Sequence, residues 1–296
     1  VILAEGGSFP TDLYIAEGVV ATRPGARLRL AAPDGPPIED LLDDEVAVVL
    51  VNHVDFRSGA LRDMAALTDR IHAAGALAVW DLCHSAGALP VALDAAGADF
   101  AVGCSYKYLN GGPGAPAFIH VARRHQGAAR QPLAGWWAHA RPFAFEPGFD
   151  PDPGIRAFQT GTQPILSLRA LEGALSLWEG IDLAALRRKS QSLSALFIEL
   201  VEADGAFPGL RLASPRDPAL RGSQVAFAHP DAYPVMQALI ARGVIGDFRA
   251  PDLLRFGFAP LYLSHADVAR AAGALREILT TGAWRAPQFA RRAAVT

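Results

Sequence analysis

Of 27 basic residues in this chain, two are lysine, Lys107 and Lys189, and the rest are arginine. A guanidinium stays charged, whereas a lysine amine can lose its proton and attack a carbonyl. A chain that uses arginine wherever charge suffices therefore draws attention to its lysines. Lys107 sits in Ser105-Tyr106-Lys107-Tyr108-Leu109-Asn110, between an apolar run and the turn Gly111-Gly112-Pro113-Gly114. An imine-forming lysine needs partial desolvation, and a strand end beneath a glycine-rich loop provides it. The competing reading is a surface lysine, the usual fate of the residue type. Asp81 closes another apolar run and precedes His84. Its carboxylate could hold a proton on a pyridine nitrogen, or simply cap a turn. A lysine and an aspartate at nearby strand ends are together what pyridoxal 5′-phosphate (PLP) chemistry requires, with His84 as a second ring contact or a polar turn residue.

Three further groups could act beside them. Phe9-Pro10-Thr11-Asp12 follows the first apolar run; Phe9 could stack on an aromatic ring while Thr11, Asp12 and local amides place polar groups. Alone, the tetrapeptide reads as a strand-to-helix turn with an aspartate cap. Arg255 is a cation inside the apolar segment Leu253-Leu254-Arg255-Phe256. A buried arginine needs a partner, either a substrate carboxylate gripped by both fork nitrogens or an internal aspartate, Asp247 or Asp252. Trp136 and Trp137 could be core, or an indole N–H could reach a phosphate at a subunit boundary. No glycine-rich dinucleotide motif, P-loop, nucleophile elbow or paired-histidine metal helix is present, and Cys83 and Cys104 have no metal spacing.

The elements that must position these groups read as alternating strand and helix over 45–121. Strands are expected at 46–51, 76–80, 100–104 and 117–121, with a helix at 61–73 ending before Gly75. Short, continuously apolar strands joined by helices imply a mostly parallel sheet covered on both faces, with ligands beyond the carboxyl ends of its strands. Residues 131–163 are loop-like. Helices are expected at 165–178 and 183–202. A small α+β unit follows, with strands at 224–228, around Val244 and at 253–258, and helices at 233–242 and 266–279. The fold class is therefore α/β, a large domain over 1–165 and, over 166–296, connecting helices with a smaller domain, its last dozen residues expected to fray. At 51% hydrophobic and 19% charged the chain can bury a large core. A net charge of −3 without a basic run disfavours nucleic acid and anionic membrane as partners. Two cysteines suit a reducing cytoplasm. The opening run Val1-Ile2-Leu3-Ala4 reads as a strand already under way, so chain is expected upstream.

The chain resembles the kynureninases, PLP enzymes of the aminotransferase-like fold. The resemblance is carried by Phe9-Pro10-Thr11-Asp12-Leu13-Tyr14, Trp80-Asp81-Leu82-Cys83-His84-Ser85-Ala86-Gly87, Cys104-Ser105-Tyr106-Lys107-Tyr108-Leu109-Asn110, Gly135-Trp136-Trp137 and Ala259-Pro260-Leu261-Tyr262. It implies that Lys107 carries PLP as a Schiff base and shuttles protons. It implies that Asp81 pairs with the pyridine nitrogen with His84 nearby, that Phe9 to Asp12 and Asn52 line the cofactor, and that Tyr106 contacts the phosphate. Arg255 would hold the substrate α-carboxylate. Trp136 and Thr162 would reach the phosphate of a neighbouring subunit, in a homodimer with shared sites. The reaction implied is hydrolysis of L-kynurenine or 3-hydroxykynurenine to an anthranilate and L-alanine, in tryptophan catabolism and NAD biosynthesis. The chain departs from the resemblance at Asn52, where serine or threonine is usual, and at Thr162, where some members have asparagine. A class V aminotransferase, a desulfurase-like enzyme and a catalytically silent PLP-fold protein are the other readings. Cys83 and Cys104 beside strand ends, rather than on a mobile loop, disfavour the desulfurase.

Overall fold

Runs rich in valine, leucine and alanine with no polar alternation can be satisfied only by burial on both faces, and they build the first of two compact units. The computed structural model describes residues 1–291 except 204 and 206, so the closing residues expected to fray lie partly outside it. The first unit comprises 1–53, 62–86 and 91–180. Its elements are β1 (Ile2–Glu5), α1 (Pro10–Ala21), β2 (Leu28–Ala31), β3 (Val48–Asn52), α2 (Met64–Ala73), β4 (Leu77–Asp81), β5 (Phe100–Cys104), β6 (Ala117–Val121) and α3 (Ile165–Leu175). Among the described residues the strands form one sheet in the order β2-β1-β3-β4-β5-β6. All pairings are parallel except β5 with β6. The carboxyl ends of β1, β3, β4 and β5 therefore share one edge. Leu3, Val49, Val51, Ala78, Trp80 and Ala101 are fully buried along the sheet, and Trp80 Nε1 donates to Thr68 of α2 at 3.1 Å. Each of the leucine and valine side chains contributes about 1.5–3 kcal/mol by leaving water.

The strands expected at 100–104 and 117–121 form over those residues. The expected helix at 61–73 starts later, at Met64, because the Asp63 carboxylate accepts from Ala66 N–H at 3.0 Å and caps it. The strand β2 was not expected; Leu28-Arg29-Leu30-Ala31 is a mixed run held by pairing with β1. Asp12 does not cap α1. The N-cap is Phe9, in extended conformation, with Pro10 opening the helix and Asp12 in its first turn.

The opposite end of the sheet is closed by a buried aspartate. Asp99, just before β5, accepts from Ala78 N–H (2.8 Å) and Arg124 (2.6 Å), with His72 and His125 Nε2 at 2.8 and 2.7 Å. Burial alone would raise its pKa, but the amide, the two imidazoles and the guanidinium outweigh that and hold the carboxyl well below the usual range. One side chain thus ties α2, β4 and the segment after β6.

The second unit comprises 54–61, 87–90 and 181–296. The expected boundary at 165/166 falls one residue into α3, all of which groups with the first unit. The second unit holds α4 (Leu183–Glu202), β7 (Arg211–Leu212), β8 (Gln224–Ala228), α5 (Ala232–Ile240), β9 (Asp247–Arg249), β10 (Leu253–Gly257), α6 (His265–Thr281) and α7 (Pro287–Ala290). Its antiparallel sheet runs β7-β8-β10-β9. The core centres on Phe197 of α4, whose ring lies 4.7 Å from Phe256, 5.5 Å from Phe258 and 6.2 Å from Phe227. The strand expected around Val244 lies instead at 247–249. Val244 N–H is used by Leu239 O at 3.0 Å, closing α5 through Gly243 in left-handed conformation (φ 78°).

Asp99 yields a pH prediction. Its folded pKa lies below the unfolded value, so its contribution is complete above about pH 4 and is lost as pH falls below that. Asp99→Asn should cost about 3 kcal/mol at pH 7, since it removes the buried charge on which an amide, two imidazoles and a guanidinium converge. The difference between wild type and variant should shrink at pH 3, as read by urea midpoints.

Candidate active site

The shared edge of parallel strands gathers the residues that sequence reasoning singled out in the first unit. Asp81 and Asn52 are the last residues of β4 and β3 and stand opposite each other in register. Asp81 is buried, and its Oδ1 accepts from Cys83 N–H at 2.6 Å. Lys107 and His84 come from the turns after β5 and β4. Lys107 Nζ lies 3.0 Å from His84 Nε2, where an ammonium donates to a neutral imidazole. It also sits 5.5 Å from the centre of the Tyr106 ring. Tyr106 is half exposed (49%), and burial of its hydroxyl region, with Cys104 nearby, raises its pKa.

Asn52 is the hinge of the arrangement. Its Nδ2 donates to Asp81 Oδ2 at 3.2 Å and to Asp12 Oδ2 at 3.1 Å. An amide carries two N–H donors, so one nitrogen serves both carboxylates. A serine hydroxyl, with one hydrogen, could serve only one. Burial, the Asp81 charge and a hydrogen bond to Asp81 push the Asp12 carboxyl up to about 6, against the opposing effects of Asn52 and Lys107. Near neutral pH the pair thus takes up a proton more readily than two separate aspartates would.

Phe9 and Thr11 frame the start of α1, which leaves the same edge after Gly6-Gly7-Ser8; both are exposed, and Pro10 fixes the first turn. Trp136 and Thr162 lie on separate stretches of the loop region yet meet, Trp136 Nε1 donating to Thr162 Oγ1 at 3.3 Å. Gly135 makes this approach feasible, because a Cβ there would sit 1.3 Å from Thr160 O. Arg255 belongs to the second unit. Asp247, rather than Asp252, engages its Nε (2.9 Å) and Nη2 (2.5 Å), and the Phe56 carbonyl accepts from Nη1.

Sequence reasoning did not single out Ser8 as a site residue, and it named Asn110 only within a family motif. Ser8 Oγ and Asn110 Nδ2 are buried without a hydrogen-bond partner among the described residues. Ser8 follows β1 at the shared edge, and Asn110 lies three residues beyond Lys107 with φ of 62°. A left-handed asparagine after the lysine was the available signal. Unspent donors on the sheet edge that also carries a lysine amine and a buried carboxylate suit a polar, anionic, ring-bearing group such as PLP. Among the described residues no three His, Cys, Asp or Glu side chains gather to hold a metal ion, and no helix is long and apolar enough to cross a membrane.

The fold is that of PLP-dependent enzymes of the class V aminotransferase and desulfurase type. Solved structures of similar fold include the cysteine desulfurase CsdA of Escherichia coli (TM-score 0.76, 19% identity, 95% of this chain and 72% of that one). The cystine C-S lyase C-DES is another (TM-score 0.77, 17% identity, 93% and 74%). Residues 186–275 match the family model described as the kynureninase C-terminal domain. A curated kynureninase of Burkholderia mallei is 55% identical over 297 residues, covering all of this chain and 71% of the relative. One from Pseudomonas fluorescens is 50% identical over 298 residues, with the same coverage. The chain belongs to the kynureninase family.

Two outcomes follow from this geometry. In cofactor-free protein Asp12 should titrate near pH 6 by carboxyl-carbon NMR, and Asn52→Ala should raise that midpoint by removing a donor to the ionised form. Because the folded pKa exceeds the unfolded 3.8, the associated stability is present below about pH 4 and lost through pH 6; Asp12→Asn should abolish that slope. Gly135→Ala should lower stability by about 2 kcal/mol or more and alter the Trp136 emission spectrum, since the chain must open at Thr160.

Proposed function

We propose that this protein hydrolyses L-kynurenine, or its 3-hydroxy form, to the corresponding anthranilate and L-alanine, using PLP on Lys107, as a step of tryptophan catabolism that also feeds NAD biosynthesis. The observation that carries the proposal is the Lys107 amine held against His84 beside Asp81 at the sheet edge, in a chain of this family. Bound PLP supplies a carbonyl for the amine of Lys107 and of the substrate, and an electron sink for the bonds broken at the substrate.

The Lys107 amine would take the proton from the substrate Cα and return protons later in the cycle. Asp81 holds the proton on the ring nitrogen and so keeps the sink cationic. Its own position is maintained by Cys83 N–H and Asn52. His84 keeps the Lys107 amine directed into the site. Phe9 would pack on the ring, with the segment from Pro10 to Asp12 and Asn52 bordering it. Tyr106 would bind the phosphate. Arg255 grips the α-carboxylate, its guanidinium plane set by the Asp247 fork. Water adds to the γ-carbonyl, the Cβ–Cγ bond breaks, and Cβ gains the proton that completes alanine. In the proposed homodimer, Trp136 and Thr162 serve the phosphate of the neighbouring subunit, and the enzyme works in the cytoplasm.

Purified full-length protein should show an imine absorbance that borohydride traps on Lys107, and should release anthranilate from kynurenine. Lys107→Ala should lose the trapped adduct and fall at least about 10³-fold in kcat. Retention of both by the variant would refute the assignment. Wild-type protein that binds PLP but releases no anthranilate would favour an aminotransferase or a silent PLP-fold protein.

A further inference from the structure

The sequence has two cysteines, and both arrive at the same point of the fold. The parallel register of β4 and β5 pairs Asp81 with Val102, and Leu82 N–H continues it by donating to Val102 O at 2.8 Å. Two residues further on, Cys83 stands beside Cys104. The Cys104 thiol donates to the Cys83 carbonyl at 3.8 Å, and the two thiols are close enough to shift each other's titration in opposite directions.

The charges around the pair divide it into two roles. Its hydrogen bond with Cys83 and the nearby Lys107 ammonium bring the Cys104 thiol down to about 6, against burial and Asp81. The same hydrogen bond, burial and the Asp81 carboxylate push Cys83 up. Tyr106, whose pKa is raised by burial and by the thiols, is the remaining titratable neighbour. Cys104, buried and nearest the Lys107 amine, is thus the more acidic and more nucleophilic member, and half-buried Cys83 is placed to resolve it.

We propose that Cys83 and Cys104 form a peroxide-sensitive dithiol that closes to a disulfide tying the ends of β4 and β5 beside Lys107. The Cys104 thiolate attacks one oxygen of hydrogen peroxide, forming the sulfenic acid and releasing hydroxide, which takes a proton to become water. Cys83 then attacks the Cys104 sulfur, the S–O bond breaks, and a second water leaves. Two thiols are oxidised and one peroxide is reduced to two waters. The bridge holds the segment that carries Asp81 and His84 to the segment that carries Lys107. Resting on the proposed cofactor role of Lys107, the oxidised form should take up PLP several-fold more weakly.

The experiment uses full-length protein with PLP removed, treated with graded hydrogen peroxide, quenched with iodoacetamide and digested with trypsin. No lysine or arginine interrupts residues 71–106, so one peptide, 71–107, carries both cysteines. The expected product is that peptide short of two hydrogens, resistant to iodoacetamide and restored by dithiothreitol. In Cys83→Ser, dimedone should instead trap a sulfenic acid on Cys104. A peptide alkylated at both thiols throughout the titration would overturn the proposal, as would oxidation of Cys104 to sulfinic acid with Cys83 still free. The mass readout needs no bound cofactor, so it fails or succeeds apart from the kynureninase reading. Equal PLP uptake by oxidised and reduced protein, read by absorbance, would overturn the effect on the site.

Discussion

Two carboxylates on neighbouring elements repel strongly where water is scarce, and the site edge of the first unit depends on how Asp12 and Asp81 are reconciled. A single amide nitrogen, Asn52 Nδ2, gives one hydrogen to each. Like charges a few ångströms apart at an effective dielectric near 20 cost about 4 kcal/mol, enough to force either a shared proton or fixed donors. The site uses both, and burial sets where the proton resides. Since Asn52 and Asp81 are paired residues of adjacent parallel strands, the reconciliation is built into the sheet. The next strand, β5, is aligned by the same ladder and delivers Cys104 and then Lys107 to the same edge.

The two ends of this sheet solve opposite problems. At the Asp99 end, one carboxylate has every donor it can use, from an amide, two imidazoles and a guanidinium. That end is a structural anchor, and nothing there remains for a ligand. At the Lys107 end, Ser8 and Asn110 keep buried polar atoms without partners among the described residues, and the lysine amine meets the Nε2 of His84. Unsatisfied buried groups are costly and rare in folded proteins. They are tolerated where binding later satisfies them.

The second unit presents a different economy of charge. Arg255 sits in the middle of a strand among leucine and phenylalanine, where an unpaired cation would be prohibitive. Asp247 on the neighbouring strand and the Phe56 carbonyl make the position tenable. A guanidinium so held has its plane fixed.

What the sequence determined by itself was local. Continuous apolar runs and helical spacing specified β5, β6, β8 and α4 over the same residues that form them, and scarcity of lysine, with aspartate and histidine after a strand-like run, marked Lys107, Asp81 and His84. Those signals lie within a few residues of the groups they identify. The tertiary structure alone decided what depends on register between distant segments. It gave β2 its strand, for a mixed run becomes extended only against β1. It moved β9 to 247–249, since α5 claims the Val244 amide for its own closure. It turned Asp12 from a helix cap into the partner of Asn52, 40 residues away, and chose Asp247 over Asp252 for Arg255. It also brought Cys83 to Cys104, 21 residues apart. Such pairings follow from backbone hydrogen bonding between strands, which leaves no periodic trace in either segment read alone.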